Sequence, residues 1–317
     1  MTSPSSIVVV LGSGGTIAGR AAQAGDVVGY RAGELSVQAL LQAVPALASQ
    51  RLEAEQVVQI DSKDMAPAVW QALARRAAHH LGRPEVAGVV VTHGTDTLEE
   101  TAWLLHRVLA PAGKPLVLTA AMRPASSIQA DGPQNLVDAV TLARTEGACG
   151  VVVVIGGAVW AAGDLRKVHT LRLDAFAGGD AGPIARLDGG PLRRFRDWPR
   201  AASLGLEAIA RDPADWPWVA VLANHAGADG RELRALQAAG VQGVVVAGTG
   251  HGSLSTPLEL ALQQARRDGV AVVRGTRCAF GPVLDGAPGS LPAAGERSVW
   301  QARVDLLLEL LLRPASA

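Results

Sequence analysis

Ile7-Val8-Val9-Val10-Leu11 runs without a break into Gly12-Ser13-Gly14-Gly15-Thr16-Ile17-Ala18-Gly19. Five consecutive aliphatic residues predict a strand buried on both faces. The glycines behind it predict a loop whose backbone can approach a neighbour or a ligand closely. Further apolar strand runs begin at Gln56 (QVVQI), Gly88 (GVVVT), Pro115 (PLVLT) and Val151 (VVVVI). Segments of helical period lie between them, near 35–43, 67–81, 98–109 and 134–146. That alternation predicts βαβ units: an α/β fold with a mostly parallel sheet flanked by helices. From about 158 to 195 the pattern turns glycine-rich and irregular.

The charged, Pro- and Trp-bearing stretch from 193 to 218 then interrupts the alternation, which resumes with strands from Trp218, Gly243 and Val270. Helical segments follow near 230–239, 257–268 and 299–312. The chain therefore divides into a large N-terminal α/β domain (1–195), a linker (196–216) and a smaller C-terminal α/β domain (217–317).

With 317 residues, 49% apolar and 18% charged, the chain can bury a substantial core. Basic and acidic residues balance at 29 each, which argues against a nucleic-acid or polybasic membrane surface. No run approaches the roughly 20 apolar residues of a membrane span. The N-terminal MTSPSSIVVVLG has no basic segment before its short apolar run, so a cytoplasmic location is expected. Cys149 and Cys278 suggest neither a metal site nor a disulfide. Arginine supplies nearly all the positive charge. The three lysines are Lys63, Lys114 and Lys167, and Tyr30 is the sole tyrosine.

In a parallel sheet the loops at the carboxyl ends of the strands line the ligand crevice. Three successive strands present polar clusters there. The glycine loop carries Thr16. It departs from the dinucleotide spacing, because Ile17 stands where the third glycine belongs, and from the Walker spacing, because no lysine follows. A phosphate cradle, a displayed nucleophile and a plain turn all remain readings of it. The second strand ends in Asp61-Ser62-Lys63-Asp64-Met65, with Pro67 suited to a first helical position. The third ends in His93-Gly94-Thr95-Asp96-Thr97-Leu98-Glu99-Glu100. Thr97 and Glu100 read as a capping box, which leaves Thr95 and Asp96 without a structural explanation. His93 reads as a hydrogen-bonded core residue. Lys167, past the fifth strand, is a lysine where arginine is the rule, and a desolvated lysine can act as a base. In the small domain, Gly248-Thr249-Gly250-His251-Gly252-Ser253 is another strand-end loop, and Thr256 with Glu259 suggests a second capping box.

SGGTIAG (13–19) together with VVVTHGTDTLEET (89–101) resembles the bacterial-type L-asparaginase family, including its glutaminase-asparaginases. The resemblance extends along nearly the whole chain. It takes in residues 60–65, Ala121-Met122-Arg123-Pro124, Ala130 to Pro133 with Asn135-Leu136, and Gly163 to Lys167. It departs at Ser13, where the family usually has threonine, and at Lys63, where many relatives have glutamine.

The resemblance implies hydrolysis of the side-chain amide of L-asparagine, with L-glutamine as the alternative substrate. A nucleotide-binding protein using the glycine loop is the non-enzymatic alternative. The resemblance gives Thr16 and Thr95 as the two catalytic threonines, Tyr30 as partner of Thr16 on a loop that closes over the substrate, and Thr95, Lys167 and Asp96 as a triad. Which threonine attacks is left open by the sequence, and Thr16 is assigned as nucleophile with Thr95 as activator. It implies that Ser62 grips the substrate's α-carboxylate and Asp96 its α-ammonium, with Lys63 beside that subsite. Gly94 and Ala121 line the pocket through their backbone, and Ser253 reaches a neighbouring subunit's site. No metal or organic cofactor is implied, and the assembly is a homotetramer or homodimer. Asp285 is the acidic candidate for supporting Tyr30 from an adjacent subunit. A threonine hydroxyl needs a base within hydrogen-bond reach at neutral pH, and these residue types supply one.

Overall fold

A computed structural model describes residues 6–21, 29–109, 113–200 and 202–313. The start of the chain, on which the location reading partly rests, lies outside these residues. The chain divides into two compact units, Met1–Leu206 and Glu207–Ala317.

The first unit is built on an eight-stranded sheet. Its strands are β1 (Ile7–Gly14), β2 (Leu52–Ile60), β3 (Val86–Thr92), β4 (Pro115–Thr119), β5 (Gly150–Ile155), β6 (Ala158–Ala161), β7 (Ala185–Arg186) and β8 (Arg193–Arg194). Their spatial order is β8-β7-β6-β5-β4-β3-β1-β2. The five strands from β2 to β5 are parallel to one another. β6, β7 and β8 add an antiparallel edge, formed by the glycine-rich stretch. Gly156-Gly157 makes the two-residue turn between β5 and β6, the hairpin type that glycine favours.

Helices α1 (Val37–Gln42), α2 (Pro67–Leu81), α3 (Leu98–Val108) and α4 (Gly132–Ala143) join the parallel strands. Val8, Val10, Val90, Val117, Val152 and Val154 pack with residues of α1 and α4 in one core cluster. The alternate residues Val9, Val89 and Val91 are equally buried and point to the opposite face, the side of α2 and α3. Cover on both faces is the reason the strands read as unbroken apolar runs. Trp198 packs in the same cluster as α1 and α4.

β2 starts at Leu52, earlier than the expected Gln56. It is the edge strand, and its first half is acidic. Glu53 is held by Arg83, and Glu55 by Arg76 and His80, so charges that argue against a strand are neutralised from α2 and its C-terminal turn. Lys114 donates to the carbonyl of Arg83.

The second unit has a three-stranded parallel sheet, β9 (Val219–Ala223), β10 (Gly243–Gly248) and β11 (Ala271–Thr276), in that order. Helices α5 (Arg231–Ala238), α6 (Thr256–Arg267) and α7 (Val299–Leu312) pack on it. Leu222, Val244, Val246 and Val272 from the strands meet Leu233 of α5 and Leu258 and Leu262 of α6 in its core.

Neither expected capping box forms. α6 is capped one residue earlier than expected, by Ser255, whose hydroxyl accepts from Leu258 N–H. Thr97 sits at the N-cap of α3 without capping it, because its hydroxyl bonds elsewhere. The box that does form is Ser298 with Gln301 at the start of α7. Among the described residues no helix is long and apolar enough to cross a membrane.

Candidate active site

Counted along the chain, the parallel strands run 2-1-3-4-5, so the order reverses between β1 and β3. A crevice opens at such a switch point, outside the carboxyl ends of the strands. Register brings those ends level: Gly12 is paired with Thr92, Gly14 with Ile60, and Thr92 with Thr119. The loops that carry Thr16, Ser62 and Thr95 therefore emerge side by side.

Gly15 joins the first and third loops. Its N–H donates to the carbonyl of Ile60 at 2.8 Å, and its φ is 81°. A Cβ there would stand 2.3 Å from the backbone N of Gly94. Only a glycine lets these two backbones touch. The hydroxyl of Ser13 adds a link by donating to the carbonyl of Thr92 at 2.8 Å. A serine there makes the bond without the methyl group of the family's usual threonine. The N–H groups of Gly15, Ala18 and Gly19 all donate to carbonyls of this same region. These three are not turned outward to receive a phosphate, which counts against the nucleotide reading.

Thr16 opens a single 3₁₀ turn and is buried. Its Oγ1 lies 2.6 Å from the Tyr30 hydroxyl. Tyr30 stands in a two-residue antiparallel ladder, paired with Ala21, and Gly19 lies against its ring.

Ser62 is buried beside the third loop. Its Oγ accepts from Asp96 N–H at 3.2 Å, and its carbonyl accepts from the Thr97 hydroxyl at 2.8 Å. This second bond is the reason Thr97 does not cap α3. An oxygen that accepts through one lone pair still has a proton to donate, so Ser62 keeps a donor for a carboxylate. Lys63 turns away to solvent and pairs with Asp64 at 2.6 Å and Asp61 at 3.7 Å. The bond to Asp64 holds its ammonium above its ordinary pKa.

Lys167 meets Thr95 and Asp96 across the sheet edge. Its Nζ donates to Thr95 Oγ1 at 2.9 Å and to Asp96 Oδ1 at 2.6 Å. Its backbone N–H donates to Glu99 Oε2 at 3.0 Å. Thr95 is buried, whereas about half of the Asp96 side chain remains exposed, 54% by accessibility. Lys167 thus joins a buried hydroxyl to an accessible carboxylate.

Ala121 is buried, and its backbone is fixed from below. The Asp131 carboxylate accepts from the N–H groups of Met122 and Arg123, both at 2.9 Å. Asn135 donates to Ala120 O and Asp131, and accepts from Gly156 N–H. His93 is fully buried, and its Nδ1–H donates to the Gly94 carbonyl at 2.7 Å. Desolvation pushes its pKa down to about 4, so the ring is neutral near pH 7.

In the second unit, Ser253 is exposed and bridges Thr249 through its backbone. Asp285 accepts from Ala293 N–H, an arrangement local to that unit. Sequence reading missed Glu99 and the new role of Thr97. The available signal was the acidic residue beside Glu100, which a helix start explains equally well.

Fold and site together define an α/β enzyme with a hydroxyl-, amine- and carboxylate-bearing crevice at the switch point of its larger unit. Residues 7–200 match the family model "Asparaginase, N-terminal", and residues 218–310 match "Glutaminase/Asparaginase C-terminal domain". The chain belongs to the asparaginase family. It is 34% identical to L-asparaginase 2 of Escherichia coli over 311 residues, covering 96% of this chain and 88% of that protein. It is 33% identical to the glutaminase-asparaginase of Pseudomonas fluorescens over 270 residues, or 84% of this chain and 74% of that protein. Among solved structures, that of a probable cytoplasmic L-asparaginase from Campylobacter jejuni superposes with a TM-score of 0.91 at 33% identity. The match covers 97% of this chain and 96% of that one.

Proposed function

We propose that the protein hydrolyses the side-chain amide of L-asparagine to L-aspartate and ammonia. The observation that carries this reading is the pair of hydroxyl systems on one sheet edge: Thr16 with Tyr30, and Thr95 with Lys167 and Asp96.

In this reading Ser62 donates to the substrate's α-carboxylate and the exposed half of Asp96 receives its α-ammonium. The Thr16 oxygen attacks the amide carbon. Its proton moves through Tyr30 to the leaving nitrogen, the C–N bond breaks, and ammonia departs. An ester between Thr16 and the aspartyl group remains. Thr95, polarised by Lys167, then orients a water against that ester. Water adds, the ester bond breaks, and Thr16 regains its proton. Backbone groups at Gly94 and Ala121 line the crevice in which the oxyanion develops, and fixed dipoles there act without reorganisation. The chemistry needs no metal or organic cofactor.

The relatives named glutaminase-asparaginases make L-glutamine the second substrate to test, because one methylene separates the two and a pocket discriminates that weakly. The reading places the enzyme in the cytoplasm, in an assembly of two or four copies to which Ser253 contributes. The test is ammonia release from L-asparagine and L-glutamine by the wild type and by Thr16→Ala, Thr95→Val and Lys167→Met. The wild type is expected to release ammonia from L-asparagine and each variant to lose at least about a hundredfold in kcat. A wild type inert toward both substrates overturns the reading, and an undiminished Thr16→Ala overturns the nucleophile.

A further inference from the structure

The short segment Thr95–Glu99 reaches both sides of the crevice. Going forward along it, Thr95 Oγ1 and Asp96 Oδ1 accept from the Lys167 ammonium, and Asp96 N–H donates to Ser62 Oγ. The Thr97 hydroxyl donates to the Ser62 carbonyl, and Glu99 Oε2 accepts from the Lys167 backbone N–H. These bonds of Thr97 and Glu99 go to main chain and not to the reacting hydroxyls. Each binds the main chain of a residue that the proposed reaction uses.

Glu99 is 7% exposed, so its carboxylate is withdrawn from water, and a buried carboxylate is retained only where it has partners. Its position in the first turn of α3 is favourable for negative charge. Lys167 belongs to a ladder of only two residues, paired with Phe176. So short a ladder does not by itself fix the height of its backbone above the sheet edge. The neighbouring Val168 N–H adds a bond to the Ala175 carbonyl, and the bond from Glu99 ties the main chain of Lys167 itself to α3 while Thr95 and Asp96 receive the far end of the same side chain. Ser62 likewise lies in a single 3₁₀ turn, and the Thr97 hydroxyl closes that turn onto the third loop.

We infer that Thr97 and Glu99 are positioning residues with separate duties, Thr97 setting the carboxylate grip of Ser62 and Glu99 setting Lys167 against Thr95. The inference rests on the asparaginase reading and deepens it. It makes substrate binding and turnover separable from two residues of one helix start.

The experiment measures kcat and KM for L-asparagine, the Kd of L-aspartate by calorimetry, and thermal unfolding. Thr97→Val removes the hydroxyl at nearly constant volume. It is expected to raise KM and the L-aspartate Kd about fivefold, with kcat within about twofold, and Thr97→Ser restores both. Glu99→Gln keeps an acceptor oxygen and is expected to stay within about threefold of the wild type. Glu99→Asp retracts the carboxylate by one methylene and is expected to lower kcat at least about tenfold, with the L-aspartate Kd within about twofold.

Variants that move kcat, KM and Kd together, or Glu99→Asp matching Glu99→Gln, overturn the inference. Where Thr97→Val does not fold, Thr97→Ser against Thr97→Ala decides the same question by the same split. A wild type that neither releases ammonia nor binds L-aspartate removes the functional reading itself. An active wild type with unmoved variants removes only this inference.

Discussion

Replacing Gly15 by alanine tests whether the contact between the first and third loops holds the site together. The added Cβ would lie 2.3 Å from Gly94 N, 2.5 Å from Gly94 Cα and 2.7 Å from His93 C. All three are main-chain atoms, so no side chain can rotate away. Ordinary contact between such atoms is about 3.5 Å, so the two loops must part by about 1 Å. The backbone at φ 81°, ψ −177° lies in a region open essentially to glycine alone and adds about 1–3 kcal/mol for a residue with a Cβ. Overpacking at a site without slack adds about 1–3 kcal/mol. A total near 3 kcal/mol is expected to lower the Tm by about 6–12 °C for a unit of this size. Gly147 provides the control. It too has a positive φ, 75°, but nothing lies within 4 Å of its would-be Cβ. Gly147→Ala therefore meets only the conformational cost, about 1–2 kcal/mol, and leaves turnover alone. For Gly15→Ala, parting the loops moves Thr16 away from Thr95, and a displacement of about 1 Å is expected to cost about a hundredfold in kcat. Scanning calorimetry and steady-state ammonia release on the two variants give the comparison. Gly15→Ala with the Tm and kcat of Gly147→Ala would refute the reasoning.

Other expectations follow from the buried histidine and the surface lysine. His93 is neutral in both folded and unfolded chains above about pH 7. Between its unfolded value of about 6.5 and its native value of about 4, the unfolded chain takes a proton that the native state refuses, so stability falls as pH falls. The contribution reaches about 3 kcal/mol at the acid end, and His93→Gln is expected to flatten this limb in urea midpoints measured from pH 7 to 4. Lys63 is exposed and already paired with Asp64, so Lys63→Gln is expected to change kcat/KM by less than about twofold. A tenfold rise in KM would show that its charge does reach the carboxylate subsite.

The parallel core was legible because its strands are buried on both faces. Val8 to Leu11 and Val151 to Val154 have no polar interruption to blur the reading. The start of β2 was not, because Glu53 and Glu55 are acceptable in an edge strand only once Arg83, Arg76 and His80 are beside them. In the site, strand-end position drew attention to Thr16, Thr95 and Asp96 and to the polar cluster around Ser62, whose own role came from family resemblance. Lys167 drew attention through its rarity in an arginine-rich chain, and its link to Thr95 came from family resemblance. Thr97 and Glu99 were concealed by local plausibility. A threonine before a helix and a glutamate in its first turn are what any helix start presents. What set them apart was partners 35 and 68 residues away in the chain, which no local pattern carries.

Two kinds of support hold the residues of the site. Thr16, Thr95 and Asp96 stand at the ends of strands whose register is fixed by a full sheet and a buried core. Tyr30 and Lys167 stand on two-residue ladders and depend on tertiary bonds for their placement. In the proposed reaction, the first group supplies the atoms that must meet substrate in a fixed geometry. The second supplies Tyr30, which relays the proton, and Lys167, which polarises Thr95. Rigid placement suits attack on a carbon, where a shift of an ångström is costly. A short ladder suits a group that must leave room for substrate to enter, because segments with little secondary structure open at low free energy. Glu99 then has a reason to be buried: one carboxylate on the rigid side of the crevice ties the Lys167 main chain to the loop that carries the hydroxyl it serves.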